Sequence, residues 1–119
     1  MTAANYSGGC QCGAVRFEAE DVDIDKAIAC NCSRCGRLGF ILSFVPAGSF
    51  DLKSGEASLT EFRFNKHVLQ HLFCKVCGVQ SFGRGKGPDG REMVAINVRC
   101  LDGIDVHELK PTPYDGRNA

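Results

Sequence analysis

Two short stretches decide the fold: Gly9-Cys10-Gln11-Cys12-Gly13 near the start, and Phe73-Cys74-Lys75-Val76-Cys77-Gly78 in the second half. Each supplies two sulfurs and then a glycine. A metal knuckle needs a tight turn, often at positive φ, which glycine takes without a Cβ clash. Each stretch also borders a strand-like pattern, so one ion can clamp two hairpin corners. Two plus two makes a closed tetrahedral four-thiolate shell, the structural kind of zinc site. Its binding free energy would be folding free energy, on the order of 10 kcal/mol.

A second cluster, Cys30-Asn31-Cys32-Ser33-Arg34-Cys35, offers three sulfurs within six residues. Three thiolates can cap one face of a zinc ion and leave its fourth position open to water or substrate, as catalytic sites do. Cys100 stands alone. It could close the second shell, or it could be a small buried apolar residue. The eight cysteines thus divide into four, three and one. Disulfides are the other reading. They are disfavoured by the tight local spacing and by an N-terminus with neither a charged n-region nor an apolar h-region. A cytoplasmic location is therefore expected.

The remaining pattern is mostly strand. Val15-Arg16-Phe17-Glu18 and Glu61-Phe62-Arg63-Phe64-Asn65 alternate in polarity. Val68 to Phe73 runs into Cys74, and Met93 to Val98 is β-branched and ends near Cys100. Ile41 to Val45 is apolar at both parities and suits a strand buried on both faces. Gly85-Lys86-Gly87-Pro88-Asp89-Gly90 marks a hairpin loop. The acidic group Glu18, Glu20, Asp21, Asp23 and Asp25 is expected as a solvated loop, and the tail from Lys110 to Ala119 as extended. The expected architecture is mainly β with little helix: a single domain over residues 1–119, with a core at about 6–110 and exposed sheet edges that favour a dimer.

Charge narrows the partners. Lys plus Arg is 14 and Asp plus Glu is 14. Seven metal-bound thiolates and two zinc ions would move the formal charge from zero to about −3. Sequence-independent nucleic-acid binding needs a cationic surplus, and a membrane span needs a long apolar run, so neither is expected. Residues 60–99 are locally basic, with Arg63, Lys66, Lys75, Arg84, Lys86, Arg91 and Arg99 against Glu61, Asp89 and Glu92. Such a segment could steer a small anion.

Taken in order, Gly9-Cys10-Gln11-Cys12-Gly13-Ala14-Val15-Arg16-Phe17, Cys30-Asn31-Cys32-Ser33-Arg34-Cys35, Phe73-Cys74-Lys75-Val76-Cys77-Gly78 and Asn97-Val98-Arg99-Cys100-Leu101-Asp102 resemble the glutathione-dependent formaldehyde-activating enzyme family, which includes centromere protein V. The resemblance implies a zinc-stabilised Mss4-like β-fold. It implies a structural zinc on Cys10, Cys12, Cys74 and Cys77, and a second zinc at a catalytic site of Cys30, Cys32 and Cys35. The implied reaction is that of a carbon–sulfur lyase run in reverse, joining glutathione to formaldehyde as S-hydroxymethylglutathione. The family often carries a basic residue directly after the third cysteine; here Gly36 stands there, followed by Arg37. Arg63, Asn65, Lys66 and Arg84 are polar candidates for holding the thiol. His67, His71 and His107 have no ligand spacing and are expected as surface or hydrogen-bonded strand residues. Two other readings are a non-catalytic zinc-bearing interaction module and a methionine sulfoxide reductase of the B type using Cys100. The absence of Trp argues against the latter.

Overall fold

The computed structural model describes residues 3–62, 70–87 and 89–115. The elements run β1 (Ala4–Gly9), β2 (Arg16–Val22), β3 (Ile28–Cys30), α1 (Ser33–Leu38), β4 (Leu42–Pro46), β5 (Phe50–Ser54), β6 (Leu59–Phe62), β7 (Gln70–Cys74), β8 (Phe82–Lys86), β9 (Glu92–Asn97) and β10 (Thr112–Tyr114). Short 3-10 turns join several of them. The chain is mainly β, as expected. Among the described residues no helix is long and apolar enough to cross a membrane.

Two sheets form. The smaller has the order β1-β2-β5, the larger β10-β3-β4-β9-β8-β7-β6. The core lies between them. Strand β2 contributes Phe17 and Ala19 at alternate positions, while β8 and β9 contribute Phe82, Val94 and Ile96. Phe50 packs against Phe17 at 5.0 Å and Phe82 at 4.6 Å between ring centroids, joining the two sheets. Aromatic side chains bury the most area per residue, so this trio anchors the thin core.

The strand expected at residues 93–98 is present within a residue, the one expected at 15–18 runs on to Val22, and the described part of the run at 68–73 forms β7. Of the expected hairpin loop, Gly85 and Lys86 end β8, Gly87, Asp89 and Gly90 lie between β8 and β9, and Pro88 lies outside the described residues. Arg63, Phe64 and Asn65 of the expected strand, and Val68 and Leu69, lie outside the described residues. Two expectations need correction. Strand β4 is buried on one face only: Ser43 and Val45 are inside, and Phe44 is 47% exposed. The small sheet covers a single side of the large one, so residues of the other parity face outward. The acidic group is not a loop: Glu18, Glu20 and Asp21 belong to β2, and Asp23 caps a 3-10 turn through the Asp25 N–H at 3.0 Å. Phe17 and Ala19 pull β2 into the core, and period-two geometry places Glu18 and Glu20 in solvent. The described part of the expected tail is extended, but not free; residues 116–119 lie outside the described residues. Residues Thr112–Tyr114 pair in parallel with Ile28–Cys30.

Candidate metal centres

The first cysteine group assembles as two similar knuckles. The Cys10 N–H donates to the Val15 carbonyl at 3.1 Å, and the Cys74 N–H to the Val79 carbonyl at 3.0 Å. Gly13 and Gly78 take φ of 84° and 81°. A Cβ at either glycine would meet nothing within 4 Å, so the turn and not the space requires glycine. The two knuckles bring all four sulfurs within 4.8 Å of one another. Cys10 Sγ lies 3.6 Å from Cys12 Sγ, which lies 3.7 Å from Cys74 Sγ. A tetrahedral shell with Zn–S bonds of about 2.3 Å sets its sulfurs about 3.8 Å apart. The donor set could therefore hold zinc, and all eight thiols of the chain are free.

Local N–H groups favour negative sulfur here. The Val79 N–H lowers Cys77 to about 6. Burial opposes the Cys10 thiolate, but the Val15 N–H at 3.3 Å and the Cys12 and Cys74 thiols outweigh it and keep Cys10 below its ordinary value. The group also belongs to the core, because Cys10 and Cys74 lie inside the main apolar cluster and Cys77 packs against it.

The second group is built differently. Cys30 ends β3, Cys32 is the N-cap of α1, and Cys35 lies within that helix. Their sulfurs also fall within 4.8 Å of one another. The Cys32 N–H donates to Cys30 Sγ and the Cys35 N–H to Cys32 Sγ, both at 3.4 Å. Burial raises Cys35, the most enclosed of the three; for Cys32 it is outweighed by the Cys35 N–H, so that thiol lies below its ordinary value. Strand β10 pins the loop before the helix: the Asn31 N–H donates to the Tyr114 carbonyl at 3.1 Å, and Asn31 Nδ2 to Asp115 Oδ1 at 3.0 Å. Gly39, at φ 70°, ends α1, and Arg99 Nε donates to its carbonyl at 2.9 Å.

Cys100 joins neither group. Burial pushes its thiol up to about 11, so it is protonated at neutral pH. It does not supply a fourth ligand to the three-sulfur group. Its neighbours do structural work: Arg99 caps α1, and Asp102 forms a bidentate ion pair with Arg16.

With the cysteine geometry in place, the comparisons decide the family. The sequence model of the glutathione-dependent formaldehyde-activating enzyme family matches residues 5–114. The chain belongs to that family. It is also similar to a Rhodobacter sphaeroides protein of known crystal structure, at 30% identity and a TM-score of 0.79, over 90% of this chain and 97% of that one. At family level the chain is thus linked to glutathione and formaldehyde.

The surroundings of the second group include residues that the sequence did not single out. Cross-strand pairing lines up Phe44, Ala95, Gly83, His71 and Phe62 on one face of the large sheet. Arg34 reaches this face: its guanidinium lies 4.7 Å over the Phe62 ring, and Nη2 donates to Gln80 Oε1 at 2.8 Å. The Gln80 amide nitrogen lies 3.3 Å from His71 Nδ1. Because Oε1 serves Arg34, Nε2 donates to Nδ1, and the His71 proton resides on Nε2. His71 is thus a buried, hydrogen-bonded strand residue, the second of the two expected settings. Arg84 stacks over Phe82 and Phe50, on the opposite sheet face from Arg34. Arg37 is exposed and bonds the Ser33 carbonyl. His107 is exposed in a 3-10 turn. Arg63, Asn65, Lys66 and His67 lie outside the described residues.

Burial, and then the Arg34 charge, lower His71 to about 4. Its neutral form thus supports the fold fully above its ordinary value near 6.5. That support is lost as pH falls through 4, because the unfolded chain takes up the proton first. An NMR titration should show the His71 imidazole unchanged from pH 8 to 5.5, in the Nε2–H form. A midpoint near 6.5 would contradict the buried Gln80 contact.

Proposed function

We propose that the chain is a zinc-dependent carbon–sulfur lyase-type enzyme that joins glutathione, or a similar small thiol, to formaldehyde or a related aldehyde. The observation that carries this reading is the three-sulfur group, which stands apart from the four-sulfur clamp and gains no fourth sulfur from Cys100. Cys10, Cys12, Cys74 and Cys77 would hold a structural zinc. Cys30, Cys32 and Cys35 would hold a second one with a coordination position left for substrate.

Zinc bound there would take an incoming thiol as thiolate, the form that attacks carbon. A shell of three thiolates is electron-rich, so thiol capture suits it better than strong polarisation of a carbonyl. In the reaction the S–C bond forms as the carbonyl π bond opens, and the thiol proton ends on the new hydroxyl oxygen. The chain's part is to hold three sulfurs in place through β3, α1 and β10, with the Cys32 and Cys35 N–H groups favouring negative sulfur. Holding thiol and aldehyde together removes an entropic barrier.

Exchange NMR tests the reading. Protein purified without chelator should accelerate the interconversion of glutathione, formaldehyde and their adduct. Equilibration at the uncatalysed rate would overturn the activity and favour a zinc-bearing interaction module.

A further inference from the structure

Arg34 stands between two sulfurs of the three-cysteine group in sequence, yet it is tied to the sheet. Gln80 holds Nη2, His71 holds Gln80, and the Phe62 ring lies under the guanidinium. Gln80 and His71 are only 8% and 7% exposed, so this tether is built into the protein. No carboxylate pairs with Arg34 among the described residues, and its buried Nε has no hydrogen-bond partner among them. A half-buried guanidinium is therefore kept at the edge of the site without an acid partner, at a cost in desolvation.

Formaldehyde carries no charge, so a fixed cation can discriminate only the thiol component. A guanidinium fork matches a carboxylate better than any other small anionic group. We propose that Arg34 anchors a carboxylate of the thiol substrate, and that Gln80 and His71 are positioning residues that hold the guanidinium for it. The assignment rests on the thiol-addition reading for the identity of the ligand. It would make the site select anionic thiols over neutral ones and orient the sulfur toward Cys30, Cys32 and Cys35.

The test uses S-methylglutathione, whose thiol is blocked, and its diamide, in which both carboxylates are neutralised. Dissociation constants are measured by NMR titration on wild-type protein and the variants. Wild type should prefer S-methylglutathione at least about tenfold. Arg34→Ala should weaken S-methylglutathione about ten- to a hundredfold, the worth of a charge-assisted hydrogen bond, and leave the diamide unchanged. Arg34→Lys should recover part of the loss. Gln80→Ala should cost about threefold for the anionic ligand alone, which keeps the test alive if Arg34→Ala does not fold. Equal wild-type affinity for the two ligands, no detectable binding, or equal weakening of both by the variants would overturn the proposal. Because the thiol is blocked, binding is read separately from catalysis. Selective binding without accelerated exchange would sink the lyase reading and leave the Arg34 assignment standing.

Discussion

Cys77→Ser is expected to leave the domain largely unfolded. Cys77 is a cleaner clamp position to change than Cys10 or Cys74. Cys10 and Cys74 are buried at 7% and 0% exposure, so replacing either would also disturb packing. Cys77 is only half-buried, and the Val79 N–H already holds it as the sulfur most ready to lose its proton. A serine there keeps the size of the side chain and removes a zinc-grade ligand. The clamp joins the loop after β1 to the loop after β7, and so ties the two sheets together beside the apolar core that holds the Phe17, Phe50 and Phe82 trio. Structural zinc sites contribute on the order of 10 kcal/mol, against a net stability of about 5–15 kcal/mol for a typical domain. The loss is thus comparable to the whole. Zinc per chain and amide dispersion in NMR spectra report the outcome, and a strong chelator should reproduce it in wild type. A variant that keeps the wild-type urea midpoint would show that the core alone suffices.

The clamp was legible in the sequence because it is local. Each knuckle sets its own turn, and the glycine after the second sulfur marks the positive φ directly. Strands β7 and β9 were legible for a related reason: apolar runs bounded by turn residues need no knowledge of what they pack against. The acidic segment of β2 was misread because charge was weighed above the alternation of Phe17 and Ala19. Strand β4 was misread because Phe44 is apolar yet faces out, and only the layer order reveals that. The tether on Arg34 had no sequence signal. Gln80 and His71 are far from Arg34 along the chain, and Gln80 lies in the segment between β7 and β8 with no periodicity to mark it. What unites them is the sheet register that sets His71 beside Gly83 and Phe62. The Arg99 and Asp102 contacts are of the same kind: each links the end of β9 to an element distant in sequence.

Cys32→Ser should separate chemistry from folding. None of Cys30, Cys32 and Cys35 belongs to the main core cluster, in contrast to Cys10 and Cys74 of the clamp. Cys32 has one evident local duty, to cap α1 by accepting the Cys35 N–H. Serine is among the best residues at a helix N-cap, so it preserves that bond while removing a thiolate. The helix has further support from Arg99 at its C-terminus and from β10 beside the preceding loop. The variant should therefore stay folded, losing no more than about 1 kcal/mol from the protein's own contacts, as at sites away from the core, beside the linkage contribution of the second ion. Zinc content should drop from two ions per chain toward one, with the clamp still occupied. Thiol–aldehyde exchange should slow by about a hundredfold or more, since losing a ligand exceeds the usual effect of losing an outer-shell partner. Urea titration, metal analysis and exchange NMR on the same preparation measure the three effects. If Cys32→Ser unfolds the domain as badly as Cys77→Ser, the three-sulfur group is a second clamp, and the open coordination position proposed for it has no basis.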